Sequence, residues 1–536
     1  MCNTKKIEPN IQLNENHDKE HAIWNRRSFL QALGLAGTGS MVLGRIPVSA
    51  ATITPLSVAL ANSENEKILI IVRLKGGNDG LNTVIPNYDY DSYANLRPTL
   101  KIKQNQSFAL TNDFRMPNYM SPLETFWGNG KMKVVHGVGY PNQSLSHFSS
   151  ADIWSSAGDN GEDIQTGVFG RYFEDLHPDY LLNPPKNPPA IQIGSLSNSM
   201  FIGEQTGYAF SVANIEQLAK IAENGTAYDM LSLPPCTYGN QLGFMRSVNN
   251  STYNYASVIN QAYLNASNDV SYVKNNISKQ LALVSRLIKG NLGTKIYMVT
   301  LDGFDTHADQ PDRHQKLMTN LTQAIANLYD DLAVQNKDSE VLTMTISEFG
   351  RRPRENASNG TDHGAASTML LFGEGLNGNG FVGNHPDLSN LNNRGNLEFT
   401  TDFRDIYASI LENWLCIEPT IVENTLLNNF NRANLGLVCT AFGNDDLNLS
   451  ENLKHYPIYN DDTVFVEFIL LRAMLVEIHL INTLGQKLGI IHKERHVAGT
   501  YRIRVNPHFK RFTPGHYIYR ILAEGNSYSK SIILVK

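Results

Sequence analysis

Asp302, Asp305 and His307 lie within six residues of one another, around Gly303, at the end of the stretch KIYMVTLDGFDTH (Lys295–His307). Carboxylates and imidazole in one short loop are the usual ligands of zinc, manganese and similar ions. The same residue types return downstream, with Glu348 in SEFGRRPREN (Ser347–Asn356) and Asp362 and His363 in GTDHGAAS (Gly360–Ser367). Upstream, Asp79 sits in Lys75-Gly76-Gly77-Asn78-Asp79-Gly80, whose glycines permit a tight turn and close approach to a ligand. Arg351, Arg352 and Arg354 follow Glu348. Guanidinium forks match phosphate or sulfate oxygens, although neutralising surface carboxylates is the plainer duty. Ser146, His147 and Ser149 open a segment that reads as a helix start. A serine there is well placed as a nucleophile, because free N–H groups stabilise an anion; simple capping is the commoner role. Each loop by itself also fits a solvated turn, with Asp302 or Asp305 bonding its own backbone.

The elements that must position these groups read as buried strands. Lys67–Leu74 (KILIIVRL), Lys131–Val138, the run before Asp302, Glu340–Ile346 (EVLTMTI) and Thr368–Phe372 are nearly unbroken apolar runs. Such runs suit strands covered on both faces, as in a parallel sheet. The candidate ligands then fall at strand carboxyl ends, where open α/β sheets place their ligands. Four loops repeat this placement, which predicts a shared metal-centred site. Ala190–Gly194 reads as a short strand. Ile215–Ala222 and Tyr253–Leu287 read as helices covering the sheet. Asp312–Leu332 is amphipathic, with Leu317, Leu321, Ile325, Leu328 and Leu332 at three- and four-residue steps. His314, near its start, reads as a surface or capping histidine.

The chain has 536 residues, long enough for more than one domain. A net charge of −6 gives no reason to expect nucleic acid as a partner. Cys2, Cys236, Cys416 and Cys439 are too few and too scattered for a disulfide framework or a cysteine zinc site. Cys2 would be lost with a leader, so at least one of the other three is expected to be unpaired. That leader is residues 1–50: Arg26-Arg27 precede the Gly/Ala-rich run Gln31–Leu43, and Val48-Ser49-Ala50 ends it with small residues. The order resembles a twin-arginine export signal. Its apolar run is too short for a stable membrane span, so no transmembrane segment is expected in the mature chain. Residues 441–457 read as a linker. Beyond them, Val464–Phe468, Met474–Leu484, Lys487–Ile491, Gly499–Val505, Gly515–Ala523 and Ser529–Val535 alternate with turn residues, the pattern of an all-β sandwich.

RLKGGNDGLNTVIP (Arg73–Pro86), SHFSSADIW (Ser146–Trp154), TLDGFDTHADQ (Thr300–Gln310), the Ser347 and Gly360 motifs above and TTDFRDIYASIL (Thr400–Leu411) together resemble the domain-of-unknown-function family numbered 1501. That family is similar to the alkaline phosphatase and sulfatase superfamily. The resemblance covers about residues 66–440 and implies an α/β fold, a three-layer α/β/α sandwich of alkaline phosphatase-like type. It also implies a divalent metal, zinc, manganese or calcium, held by residues among Asp79, Asp302, Asp305, His307, Glu348, Asp362 and His363. Ser146 or Ser149, with His147, would form the catalytic group, and Arg351 and Arg352 would bind substrate. Residues 458–536 resemble the C-terminal sorting domain of type IX secretion substrates. The two ends together imply the twin-arginine translocase and the type IX machinery as partners, and passage through the periplasm to the cell surface or medium. The expected function is a metal-dependent hydrolase of phosphate or sulfate esters. The alternative is a non-catalytic surface protein that binds an anionic ester or glycan and has kept the fold.

Overall fold

Strand β1 (Ile68–Lys75) lies at the centre of a nine-stranded sheet, and its alternate residues feed two separate cores. The computed structural model describes residues 66–439 and 454–534, apart from 178–179, 181–183, 195–197, 205, 214, 226–236, 377–379, 461–462, 471–473, 483–486, 497–498, 506–514 and 524–525. Residues 1–50, expected to be an export leader, lie outside the described residues.

The other strands of the sheet are β2 (Met132–Gly139), β3 (Ala190–Ile193), β4 (Ala209–Val212), β5 (Ile296–Asp302), β6 (Val341–Ile346), β7 (Ser367–Phe372), β8 (Gly380–Val382) and β9 (Thr401–Asp402). Their order is β8-β2-β7-β6-β1-β5-β3-β4, with β9 beside β2. Every pairing is parallel except those of β7, which runs against both β2 and β6. The all-parallel expectation therefore fails at one strand.

Helices cover both faces of the sheet. On one face lie α3 (Ile215–Asn224), α4 (Thr237–Asn265), α5 (Asn276–Lys289) and α6 (Gln310–Ala333), packed with Ile68, Ile70 and Val72. On the other lie α1 (His147–Ser156), α2 (Val168–Leu176), α7 (Phe403–Asn413) and α8 (Pro419–Leu426), packed with Leu69 and Ile71. The result is the three-layer α/β/α sandwich that the family resemblance implies. In α6, Leu321, Ile325, Leu328 and Leu332 are fully buried. Each such side chain contributes roughly 1.5–3 kcal/mol of transfer free energy.

Two other expectations need correction. Tyr253–Leu287 is two helices, because Asn275 caps a new start by accepting from Ser278 N–H at 2.8 Å. His314 is buried, and its Nε2 lies 3.1 Å from Asn78 Oδ1. Cys416 and Cys439 form a disulfide that closes a loop of 23 residues, which by chain entropy contributes on the order of 3 kcal/mol. Cys236 lies outside the described residues.

The chain divides into two units, residues 1–441 and 442–536. In the second, β10 (Lys454–Asn460), β11 (Thr463–Leu470) and β14 (Gly499–Arg504) form one sheet in the order β10-β11-β14. The other sheet has the order β13-β12-β15-β16, formed by β12 (Met474–Asn482), β13 (Lys487–His496), β15 (Gly515–Ala523) and β16 (Asn526–Leu534). Val464, Val466, Phe468, Val476, Ile478 and Tyr519 share its core. The first strand begins at Lys454, inside the stretch that reads as linker. Among the described residues, no helix is long and apolar enough to cross a membrane.

Candidate functional site

The loops after β1, β5 and β6 meet because two glycines let backbones touch. Gly76 has φ +124°, and a Cβ there would stand 2.3 Å from Asp305 N. A Cβ on Gly360 would stand 2.3 Å from the His307 carbonyl carbon. Any side chain at either position would push the loop after β5 away.

Arg351 fastens the three loops. Its Nε donates to Gly77 O at 2.9 Å, its Nη1 to Thr361 O at 2.8 Å, and its Nη2 to Phe304 O and Asp305 Oδ1, both at 2.8 Å, as well as to Gly76 O. The side chain is fully buried. Its donors are spent on the fold, so Arg351 is not available to a substrate, contrary to expectation. Arg352 is half-buried, and its Nε is buried with no hydrogen-bond partner.

Asp305 is the centre of the site. His307 Nε2 and His363 Nε2 each lie 3.2 Å from Asp305 Oδ1, and the two nitrogens are 2.9 Å apart. His147, the first residue of α1, brings Nε2 to 3.6 Å from Asp305 Oδ2. One ligand atom each from His147, Asp305 and His363 lies within 4.8 Å of the others. Phe349 packs under the imidazoles, with ring centroids 4.3 Å from His363 and 4.9 Å from His147. Burial alone would raise the Asp305 carboxyl, but Arg351 and the neighbouring imidazoles outweigh it and hold it at about 2. Asp305 is therefore an anion at neutral pH.

The outer nitrogens of two imidazoles are anchored. His363 Nδ1–H donates to Leu145 O at 2.8 Å. His307 Nδ1 faces Asp362 Oδ1 at 3.3 Å, and that carboxylate can only accept. Burial pushes the His363 imidazole below its usual range, against the pull of Leu145 O and Asp305. A neutral His363 with its proton on Nδ1 turns an Nε2 lone pair toward an ionised carboxylate. Asn356 Nδ2 steadies the same corner, donating to His307 O at 3.0 Å and Asp362 Oδ1 at 3.3 Å.

Three predicted ligands are used elsewhere. Asp302 is 70% exposed and pairs with Lys75 at 3.1 Å. Glu348 is turned back to β1, accepting from Gly76 N–H at 3.0 Å, with Arg73 Nη2 3.5 Å away. Asp79 is buried and bound by Arg97 Nη1 at 2.6 Å, and it also accepts from Gln310 Nε2. The guanidinium brings to Asp79 the positive charge that a metal would have brought. Arg97 carries no motif signal, 18 residues beyond its partner.

Ser146 is exposed and precedes α1, and its side chain makes no capping bond. Ser149 is exposed two residues beyond His147, about 200° around the helix from it. Ser150, buried, donates to Glu348 O and pairs with Tyr140 at 2.9 Å.

A model of the family described as "Protein of unknown function (DUF1501)" matches residues 257–425, which include Asp305, His307 and His363 but neither Asp79 nor His147. No curated protein matches. A Vibrio parahaemolyticus protein of the alkaline phosphatase superfamily is 8% identical, with 76% of each chain covered and a TM-score of 0.29. The lipoteichoic acid synthase LtaP of Listeria monocytogenes is 8% identical over 79% of this chain and 87% of its own, at 0.30. The PsFucS1 sulfatase of Pseudoalteromonas sp. is 10% identical over 85% and 86%, at 0.29. The chain is thus similar, over residues 257–425, to a family of unknown function, and likenesses with such TM-scores carry no argument about its activity.

Proposed function

We propose that this chain is an exported, metal-dependent hydrolase of phosphate or sulfate esters. One observation carries the reading: His307 and His363 each commit Nδ1 outward and bring Nε2 to 3.2 Å from the same ionised Asp305. Ring nitrogens oriented this way by a carboxylate or a carbonyl are characteristic of metal ligands. Asp305, His307, His363 and His147 would hold the ion, with Asp362 supporting His307 from behind. The ion would supply Lewis acidity toward an ester oxygen. Ser146 is the better nucleophile candidate, because it adjoins His147 at the helix N-terminus while Ser149 turns away. Arg352 would hold the anionic group.

The competing reading is a surface protein that binds an anionic ester or glycan without turnover. It is favoured by the commitment of Arg351 to the fold, which removes one of the two cations expected to meet the substrate. Metal analysis and ester assays on the purified mature chain decide between them. The hydrolase should hold a divalent ion that His363→Ala removes, and a chelator should abolish its turnover. Ser146→Ala should lower kcat by ~100-fold or more, while Ser149→Ala changes it little. An ion-loaded protein inert toward phosphate monoesters, diesters and sulfate esters would leave the binding reading.

Export is supported by the leader, the resemblance of the tail and the Cys416–Cys439 disulfide, a bond that persists in oxidising compartments. Deletion of residues 458–536 should leave the protein in the periplasm. Surface delivery of the truncated chain would make the tail an accessory domain.

A further inference from the structure

The second unit carries a cluster that neither the hydrolase reading nor the sorting resemblance uses. His492, Glu494 and His496 alternate along β13, so the two-residue period of a strand puts all three on one face. That face is the inward one. His492 pairs with Ile478 and Glu494 with Val476, both fully buried in the sandwich core. Such inward positions ordinarily carry apolar side chains. Because β13 is the edge strand of its sheet, these three line the open margin between the sheets.

The second sheet closes on them. The Phe468 and Tyr501 rings of β11 and β14 lie 5.7 Å and 4.1 Å from the His496 ring. Along the strand the two imidazoles fold toward each other, with Nε2 atoms 2.6 Å apart and ring planes 28° apart. One ligand atom from each of the three residues lies within 4.8 Å of the others. The Glu494 carboxylate, the third corner of that triangle, is exposed, and direct ligands of a zinc ion stand about 2 Å from it.

We propose that His492, Glu494 and His496 form a second metal site, for a borderline divalent ion such as zinc, that pins the edge strand of the C-terminal sandwich. Two imidazoles and one carboxylate suit zinc, and they leave a coordination position open at the margin. The site depends on nothing in the first unit, so it stands or falls separately from the hydrolase reading.

The test is zinc titration of the chelator-stripped full chain, with the His363→Ala background disabling the first centre. That background should still bind one zinc per chain. Adding His492→Ala and His496→Ala should abolish the binding, and Glu494→Gln alone should weaken it at least tenfold. With native metal at the first centre, the His492→Ala, His496→Ala variant should keep its ester turnover. If the double variant loses its β-sheet circular dichroism, Glu494→Gln carries the test, since its exposed side chain is not needed for the fold. Unchanged zinc stoichiometry in the double variant and unchanged affinity in Glu494→Gln would overturn the proposal. They would leave an imidazole pair in which one ring N–H donates to the other ring.

Discussion

Asp79 and Asp305 both stand in loops after parallel strands, yet they meet different partners. Asp79 is buried beside Arg97 and Gln310, and Asp305 is half-exposed beneath three imidazoles. Burial alone would raise the Asp79 carboxyl, but the Arg97 guanidinium overrides it and keeps the group ionised. Removing one partner of such a pair strands a buried charge and costs about 3–5 kcal/mol. Arg97→Leu should therefore lower the urea midpoint steeply, and adding Asp79→Asn should recover part of the loss. Metal content should be unchanged in Asp79→Asn; a drop would place Asp79 among the ligands after all. Residue types alone mark both aspartates as ligand candidates. What separates them is a guanidinium 18 residues away, which no local pattern exposes.

The elements were legible wherever one segment carried its own signal. The alternate residues of β1 and the leucine steps of α6 follow directly from burial on two faces and on one. The failures lie where a distant partner decides. Tyr253–Leu287 keeps an apolar spacing throughout, but residues 266–275 leave the helix to serve a buried carboxylate. Asp331 accepts from Asn268 Nδ2 at 2.8 Å, Asp269 N–H at 2.7 Å and Ser285 Oγ at 2.7 Å, and it pairs with Lys289. The bonds from Asn268 and Asp269 come from the break itself and help satisfy a buried carboxylate, which costs several kcal/mol when left unmet. Likewise the direction of β7 is set by its pairing with β2 and β6, and a six-residue apolar run reads the same either way. Arg351 resembled a substrate arginine because the sequence shows its neighbours in the chain but not the carbonyls of two other loops.

At the scale of the whole chain, the first unit buries histidines that are neutral when folded. Burial lowers His136 to about 3 and His177, His314 and His385 to about 4, from an ordinary value of 6.5. His385 adds to the effect at His136, and for His314 the pull of Asp79 is opposed by Arg97 and Arg351. The sign follows from proton counting. Between pH 6.5 and 4 the unfolded chain protonates these rings and the folded chain does not, so stability falls as pH falls. The contribution is complete above 6.5 and is lost progressively as pH approaches 4. A tenfold weakening of proton binding corresponds to about 1.4 kcal/mol, so the four rings together contribute several kcal/mol. The urea midpoint of the first unit should therefore drop markedly from about pH 7 to about pH 5. His136 offers the sharpest check, because both ring nitrogens are buried with no hydrogen-bond partner and the ring stacks on Phe381 at 4.7 Å. His136→Phe keeps an aromatic ring in that stack and abolishes the titration. It should flatten the dependence of the midpoint on pH while leaving the value near neutral pH close to wild type. An unchanged slope would show that the acid sensitivity comes from other groups.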